Sequence, residues 1–475
     1  MENAVWDLKS NTDTWSHTTF FDSMVAEFLL SNGKSVGTLE ETLNKYKVTT
    51  LDELTLKQKE KLDQNPKLKS LLYDVELPLI KVLWNMQKAG ILLDTECLKK
   101  VGIEIDKEVN QTQEKLKKEM GTDINLNSAL QIGNYLSEIA GVPLKKTKTG
   151  RFATNEGELA QHAENFPVIK DILKYRELSK LRSTYVDSLI TKVDENSRIH
   201  TTYHQVAVNT GRLASTNPNL QNIPVTSNFG QQIKSCFIAS PGKILVSFDY
   251  SQQELRILAH LTQEDTLIKA FNENKDVHKI TASKIFGANY DQVAKEQRMV
   301  GKTINFGIVY GMSSYGLSMS LNIPVEDAQK FINAFYATYP KIKIFYDNYF
   351  KEATKNDYVE TILGRRRYVF EYPGQKFIDN NTRRVLLNYP IQGSAADLIK
   401  KAMVQIQKEV LNTNPEVRLL LQIHDDLVFE VDNIKKVVDN LIEKVRSIMC
   451  NIYPLDVPIE VDVKTGTKWG DLEKV

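Results

Sequence analysis

Apolar residues recur at helical spacing through much of the first 190 residues. From Leu77 to Asp94 they follow intervals of three and four, with Gly90 placed to end a helix, and a second long helix is predicted from Ile103 to Leu116. Helical hairpins are expected to about Leu189. Residues 1–70 instead carry short mixed segments with many polar residues, which indicates a small or degenerate domain.

The second half of the chain mixes strand and helix patterns. Lys243–Phe248 is an apolar, β-branched run that predicts a buried strand, and helical periodicity follows over 251–261. Asp249 therefore stands where a strand gives way to a helix. Two further apolar runs, VRLLLQI and LVFEV, flank the His-Asp-Asp sequence at 424–426 and predict a β-hairpin with acidic residues at its turn.

Composition narrows the class of protein. A chain of 475 residues, 41% hydrophobic and 25% charged, fits a soluble protein of about three domains. No apolar run approaches the roughly 20 residues that cross a bilayer, and the N-terminus lacks the pattern of a secretory signal. The three cysteines, Cys97, Cys236 and Cys450, are odd in number and far apart. We therefore expect a cytoplasmic protein in a reducing compartment, with no membrane partner.

Charge alone does not indicate nucleic acid. The formal charge of +1 argues against a basic coat but allows a local basic groove. One candidate is the loop GVPLKKTKTGR, which carries Lys145, Lys146, Lys148 and Arg151 and no acid. Two interpretations stay open for it, a solvated loop or a tip that grips phosphates.

Asp249 and Asp425 are candidate metal ligands because both are predicted at strand ends. Mg²⁺ in phosphate enzymes takes one or two carboxylates plus substrate oxygens, and in two-metal sites the ions lie about 3.5–4 Å apart. Only the fold can bring two residues so distant in sequence together. Taken singly, a carboxylate at a strand end is more often a cap or turn residue.

A helix between these acids carries a substrate-binding pattern. Arg298, Lys302, Phe306 and Tyr310 are spaced by four and form one stripe of two cations followed by two aromatics. Cations suit the phosphates of a nucleoside triphosphate, and aromatic faces suit any base. The alternative is an amphipathic helix with its aromatics in the core. Three glycines leave room for a ligand or a backbone to approach: Gly301, Gly307 and Gly311.

Three ordered motifs resemble motifs A, B and C of the family A DNA polymerases, typified by the large fragment of bacterial DNA polymerase I. They are DYSQQELR (Asp249–Arg256), RMVGKTINFGIVYG (Arg298–Gly311) and QIHDDLVFE (Gln422–Glu430). The similarity extends through TGRLASTNPNLQNIP, KDVHKITA, YVETILGRRR and NYPIQGSAADLIK, and covers nearly everything after about Leu72.

The resemblance implies an α+β fold shaped as a right hand. It places a helical thumb at 71–190, a palm with an antiparallel sheet at 191–255 and 376–475, and helical fingers at 256–375. Residues 1–70 resemble the tail of a 3′–5′ exonuclease-like domain, with Asp22 at a former metal position. The partner acids of that site are missing from the sequence, so we expect neither proofreading nor 5′ nuclease activity.

The family also assigns roles to individual residues. Two Mg²⁺ ions, or Mn²⁺ in their place, are expected on Asp249, Asp425 and the backbone carbonyl of Tyr250. The incoming nucleotide is expected to contact Arg298, Lys302, His278, Phe306, Tyr310, Glu254 and Gln253, with Lys302 also protonating the pyrophosphate and Glu254 excluding a ribose 2′-hydroxyl. Primer and template are expected at Arg212, Asn388, Gln392 and Arg384.

Departures from the family pattern modify these expectations. Asp426 stands where family members usually carry Glu, whose side chain is longer by one methylene, so we do not count it among the expected metal ligands. Gln253 replaces a residue that is usually apolar, and we expect altered nucleotide selection or tolerance of RNA templates. Phe306, without a hydroxyl, implies discrimination against 3′-deoxy chain terminators.

The sequence thus predicts a monomeric DNA-dependent DNA polymerase that extends a primer on template DNA with deoxynucleoside triphosphates. Two alternatives remain. One is a reverse transcriptase or single-subunit RNA polymerase, which shares the paired aspartates, although Glu254 and the QNIP segment favour DNA synthesis. The other is a catalytically silent DNA-binding protein, which retention of Asp249 and Asp425 disfavours.

Overall fold

The computed structural model describes residues 3–10, 20–121, 124–224, 227–370 and 378–475. Its α-helices are α1 (Ser23–Leu30), α2 (Leu39–Tyr46), α3 (Leu51–Asp63), α4 (Pro66–Leu71), α5 (Leu77–Ala89), α6 (Thr95–Met120), α7 (Ala129–Asn134), α8 (Glu156–Ala160), α9 (Pro167–Lys180), α10 (Ser188–Ile190), α11 (Asn228–Ser235), α12 (Gln253–Thr262), α13 (Asp265–Asn272), α14 (Val277–Phe286), α15 (Lys295–Val309), α16 (Ser314–Leu321), α17 (Val325–Thr338), α18 (Pro340–Asn356), α19 (Asn380–Ile406) and α20 (Lys435–Cys450).

The β-strands are β1 (Asn3–Val5), β2 (Phe20–Asp22), β3 (Ile91–Leu93), β4 (Arg198–Ile199), β5 (Thr202–His204), β6 (Ala214–Thr216), β7 (Phe237–Ile238), β8 (Lys243–Tyr250), β9 (Tyr358–Glu360), β10 (Arg366–Tyr368), β11 (Arg418–Ile423), β12 (Asp426–Asp432), β13 (Val461–Gly466) and β14 (Glu473–Lys474). The predicted α+β class is confirmed, because blocks of helices surround an antiparallel sheet.

The main sheet has the strand order β11-β12-β8-β13-β14 and is antiparallel throughout. Its centre, β8, was predicted from its apolar run and is confirmed. Successive residues of a strand face opposite sides, so Val246 and Phe248 enter one hydrophobic core and Leu245 enters another. The same register sets Asp426 directly opposite Asp249.

Helix α12 follows β8 and is buried along most of its length. It begins at Gln253, two residues later than the periodicity indicated, because Gln252 adopts a left-handed conformation with φ 53°. Leu255 and Leu258 enter the core beside α19, and this contact fixes the orientation of Glu254 in the first turn.

Helices α14 and α15 pack in unusually close contact. A Cβ at Gly301 would lie 2.3 Å from the carbonyl oxygen of His278, so only glycine allows this approach. The prediction that Gly301 admits a neighbouring backbone is confirmed. At Gly307 and Gly311 the nearest atoms belong to the side chains of Met312 and Arg384.

The N-terminal segment forms its own small core and joins the rest of the molecule. Phe21 and Leu62 pack with Ile80 of α5. The carboxylate of Asp22 accepts hydrogen bonds from three backbone N–H groups, those of Leu8 at 2.7 Å, Met24 at 2.9 Å and Val25 at 3.1 Å. In this structure Asp22 therefore acts as the N-cap of α1.

The cysteine spacing was a poor guide to contacts in space. Cys97 on α6 and Cys236 after α11 form a disulfide, and Cys450 is free. The pairing removes cysteine usage as an argument for a reducing compartment. Within the described ranges no helix is both long enough and apolar enough to span a bilayer.

Candidate active site

The two predicted metal-binding aspartates lie side by side at one end of the main sheet. Asp249 is the penultimate residue of β8, and Asp425 lies in the turn between β11 and β12. The N–H of Tyr250 donates to the carbonyl of Asp425 at 3.2 Å, which ties the strand end to the turn. Predicted separately from strand patterns, the two acids are brought together by pairing of β8 with β12.

Burial and mutual repulsion raise the pKa of these acids. Desolvation, followed by the charges of Asp426 and Asp425, raises the pKa of Asp249 to about 7. Desolvation and the nearby Glu254 raise the pKa of Asp425 to about 6. Such a pair is unfavourable while both acids are ionised, a property typical of functional sites.

Asp426 is bonded differently from the other two acids. Its Oδ1 accepts a hydrogen bond from the hydroxyl of Ser247 at 2.6 Å, and burial raises its pKa. Because this bond holds its side chain against β8, the structure distinguishes Asp426 from Asp249 and Asp425.

The donor set fits a partly substrate-held divalent cation. Carboxylate oxygens are the ligands that Mg²⁺ prefers, and a cation beside Asp249 and Asp425 would favour their ionised forms, which burial and neighbouring acids disfavour. Across the described part of the chain, no group of three or more His, Cys, Asp or Glu side chains is arranged to enclose a metal ion. Two carboxylates would supply only part of a coordination sphere, as in Mg²⁺ sites of phosphate enzymes, where substrate oxygens complete it.

Glu254 lies beside the aspartates in an ion pair with Arg212. The Nη2 of Arg212 donates to Oε1 of Glu254 at 2.6 Å, while Oε2 of Glu254 is buried with no hydrogen-bond partner in the described structure. Burial and the neighbouring carboxylate of Glu254 raise the pKa of the Tyr310 hydroxyl. Gln253 is 2% exposed, and neither polar atom of its amide has a partner among the described residues.

The predicted stripe on α15 is present and faces a neighbouring helix. The rings of Phe306 and Tyr310 are stacked with centroids 6.3 Å apart, and the ring of His278 on α14 lies 5.7 Å from Phe306. Lys302 is exposed on the same helix. Tyr310 follows Val309, the last residue of α15, and is the C-cap of the helix.

Arg298 and His278 are both engaged with other residues. Arg298 donates to Asp276 at 2.5 Å, and Asp276, which sequence reasoning missed, also caps α14. Desolvation, and the charges of Arg298 and Lys302, lower the pKa of His278 to about 4. At neutral pH His278 is therefore an uncharged imidazole, and the positive charge at this site comes from Arg298 and Lys302.

The residues predicted to touch primer and template line one cavity of about 690 Å³. It lies next to Glu254, because Arg212 reaches from the cavity wall to the carboxylate of that residue. Four residues predicted to touch primer and template line it, Arg212, Arg384, Asn388 and Gln392, together with Tyr310, which was predicted to contact the nucleotide. Sequence reasoning thus selected residues that share a surface.

The basic loop at 141–151 lies apart from that cavity. Lys145 pairs with Glu158 at 3.2 Å and lies 3.4 Å from the hydroxyl of Tyr315 on α16. The amino group of Lys146 lies 5.3 Å from the ring of Phe152, and Lys148 is exposed. The structure thus confirms a solvent-facing loop, and phosphate binding by it stays a prediction.

A buried network of charges was missed from the sequence. Glu76 accepts from Lys400 at 2.8 Å and from Arg365, which also contacts Asp397 at 2.6 Å, and all four side chains are at most 2% exposed. The network joins the start of α5, the segment before β10 and α19. A recognisable signal was present in α19, where Asp397 and Lys400 stand one helical turn apart within an apolar segment.

Comparison with known proteins decides the family. The model of DNA polymerase family A matches residues 95–471, which include the two aspartates and the whole of α15. The chain belongs to DNA polymerase family A. This family A chain is 40% identical over 415 residues to "DNA polymerase I, thermostable" of Thermus thermophilus, covering 86% of the chain and 50% of that protein. It is 37% identical over 451 residues to DNA polymerase I of Geobacillus stearothermophilus, covering 94% of the chain and 49% of that protein.

A solved structure agrees with the sequence comparison. The POL domain of Pol1 from M. smegmatis, in complex with DNA primer-template and dNTP, superposes with a TM-score of 0.91 at 33% identity, covering 99% of this chain and 86% of that one. The family A chain spans about half the length of the curated relatives it matches.

Proposed function

We propose that this chain is a DNA-directed DNA polymerase that extends the 3′ end of a primer on a DNA template with deoxynucleoside triphosphates. The observation that carries the proposal is the apposition of Asp249 and Asp425 across β8 and β12, beside a helix that presents cations and aromatics. The neighbouring solved structure, a polymerase domain with primer-template and dNTP, supports the same substrates for this chain.

The metal site is proposed on Asp249, Asp425 and the carbonyl of Tyr250, with two Mg²⁺ ions and Mn²⁺ as an alternative. Bound there, the ions would lower the pKa of the primer hydroxyl and stabilise the leaving oxygen. The raised pKa values of both carboxylates, caused first by burial and then by neighbouring acids, support this assignment, because a bound cation would favour the ionised form of each acid.

The nucleotide is proposed to lie between α15 and the sheet. Arg298 and Lys302 would contact its phosphates, and Lys302, being exposed, can transfer a proton to the departing pyrophosphate. His278 would donate one N–H as a neutral ring. Phe306 and Tyr310 would pack on the nascent base pair, with Phe306 disfavouring 3′-deoxy terminators.

Selection of deoxyribose is proposed to rest on Glu254. Its carboxylate is held by Arg212, so a ribose 2′-hydroxyl approaching this position would meet a fixed, buried acid. Displacing such a group or leaving it unsatisfied costs roughly 1–3 kcal/mol, which corresponds to about a 5- to 150-fold preference. On the template side, Arg384, Asn388 and Gln392 can donate to minor-groove acceptors that vary little with sequence.

The right-hand division is part of the proposal. Helical thumb (71–190) and fingers (256–375) would flank a palm made of 191–255 and 376–475, which contains β8 and β11–β14. Closure of the fingers would bring reacting groups into line. We propose a monomer in the cytoplasm, where DNA and nucleotides are available, and no proofreading by residues 1–70, because the partner acids of a nuclease site are missing from the sequence.

Primer extension tests the proposal. A labelled primer on DNA and on RNA templates, with Mg²⁺, is compared for wild type, Asp425→Ala and Asp432→Ala. Asp432 is a matched control because it ends the same strand β12 far from the site and pairs with Lys243. We expect Asp425→Ala to lose on the order of 1000-fold in rate, and Asp432→Ala to keep nearly all activity. Full activity of Asp425→Ala would refute the metal assignment.

A further inference from the structure

A polar pocket of about 400 Å³ lies between the N-terminal segment and the body of the molecule. The turn that follows α1 forms one wall, with Asn32 at φ 55° and Gly33 at φ 76°. A Cβ on Gly33 would lie 2.8 Å from the backbone oxygen of Asn209, so this turn rests directly on the loop that leads to Arg212. The wall is therefore fixed relative to the insertion site.

The chemistry of the pocket suits a phosphodiester. Its described lining includes the cations Lys34 and Arg367, the amide of Asn209, and the hydroxyl of Ser35, with no acidic residue. The ring of Tyr368 also lines it, and Lys34 lies 5.4 Å from the centre of that ring. Cations that follow a sugar-phosphate backbone, together with an aromatic face for a base, are the usual components of single-strand binding sites.

The pocket continues the cavity that lies beside the insertion site. Asn209 and Arg367 line both, so the two share a wall. Arg212 connects the larger cavity with Glu254 and the aspartates beyond it. A strand that passes from the insertion site through the larger cavity would reach Lys34 next, and the strand that is unpaired ahead of synthesis is the 5′ overhang of the template.

We propose that the pocket formed by Asn32, Lys34, Ser35, Asn209, Arg367 and Tyr368 binds the sugar-phosphate backbone of the single-stranded template overhang. The proposal rests on the polymerase function proposed above and adds a binding role for the N-terminal segment. The N-terminal segment would then bind the template with residues on its surface, and this role requires no nuclease site.

Binding of DNA hairpins of two kinds tests this role. One hairpin has a flush end and the other a six-nucleotide 5′ overhang, and the dissociation constants are measured by fluorescence anisotropy without nucleotides over a range of salt. For Lys34→Glu we expect binding of the overhang hairpin to weaken about 5- to 10-fold, with its salt slope reduced by about 0.7. Binding of the flush hairpin should be unchanged.

The matched control is Lys57→Glu, which reverses an exposed lysine on α3 of the same segment. It should leave both hairpins unaffected, and Lys34→Arg should restore binding of the overhang. Equal weakening of both hairpins by Lys34→Glu, or no weakening of either, would overturn the proposal. The two proposals can fail independently. If the polymerase function is wrong, wild type will extend no primer, but its binding of the overhang hairpin can still be measured.

Discussion

The buried amide of Gln253 gives a sharp prediction about stability. This residue is 2% exposed, and both its Nε2 and its Oε1 have no hydrogen-bond partner within the described structure. Burying an amide without partners costs roughly 1–3 kcal/mol in proteins. Gln253→Met keeps the length and unbranched shape of the side chain and removes both polar atoms. We therefore expect it to raise the free energy of unfolding by about 1–3 kcal/mol.

Urea unfolding, followed by circular dichroism and by tryptophan fluorescence, measures this change if the two signals coincide. Gln329→Met is the matched control, because Gln329 is exposed on α17 and the same substitution there should change stability by less than about 0.5 kcal/mol. A loss of stability of more than about 1 kcal/mol in Gln253→Met would show that the amide is satisfied, and the reasoning from burial would be wrong.

The same residue bears on nucleotide selection, since it precedes Glu254 in α12. Single-nucleotide incorporation of deoxy- and ribonucleotides by wild type and Gln253→Ile compares kcat/KM for the two sugars. We expect the ratio to change, because the orphaned amide is adjacent to the acid that would meet the 2′-hydroxyl. Unchanged ratios would remove Gln253 from the selection of sugars and leave only its effect on stability.

Three further predictions follow from buried groups. Burial alone would raise the pKa of Glu76, but its cationic partners outweigh burial and lower the pKa from 4.5 to about 2. Glu76→Gln should therefore lower the free energy of unfolding by about 3–5 kcal/mol at pH 7. A carboxylate whose pKa is lowered in the folded state stabilises the protein above its unfolded pKa. The difference in free energy of unfolding between Glu76→Gln and wild type should therefore shrink as pH falls from 4.5 to 2. A difference that stays constant with pH would contradict the ionic role of Glu76. Gly301→Ala should lower the free energy of unfolding by about 1–3 kcal/mol and weaken nucleotide binding, because its methyl group would meet a backbone oxygen of α14. Gly157→Ala is the control and should be tolerated, because the nearest atom to its methyl group would lie at 3.5 Å. Mg²⁺ at ten times its dissociation constant should stabilise wild type by about 1.4 kcal/mol in urea unfolding, and Asp249→Asn should abolish this gain.

Local features of the fold could be predicted because they depend on neighbours in sequence. The strand at β8, the hairpin at 424–426 and the helix α15 all follow from periodicity, and each was placed to within a few residues. The residues at the ends of these elements were therefore identified correctly as candidates. What periodicity could not supply was the distance between candidates from different elements.

Contacts between distant segments could not be predicted, for a physical reason. Arg365 and Glu76 are 289 positions apart, and their pairing depends on how three segments pack, which no local pattern encodes. The ion pair of Arg212 with Glu254 and the disulfide of Cys97 with Cys236 have the same origin. The sequence selected Arg212 and Glu254 separately, each for its own role, and gave no partner to either cysteine; only the fold joined them into pairs.

Hydrophobic packing of β8, and not the acids themselves, determines where the two aspartates lie. Because β8 is buried on both faces, a slip of one residue would exchange Val246 and Phe248 with Leu245 between two separate cores. That penalty fixes the register of β8 against β12, and the register in turn holds Asp249 next to the turn that carries Asp425. Packing of the strand therefore places two acids of raised pKa next to each other, although burial and neighbouring charges disfavour their ionised forms.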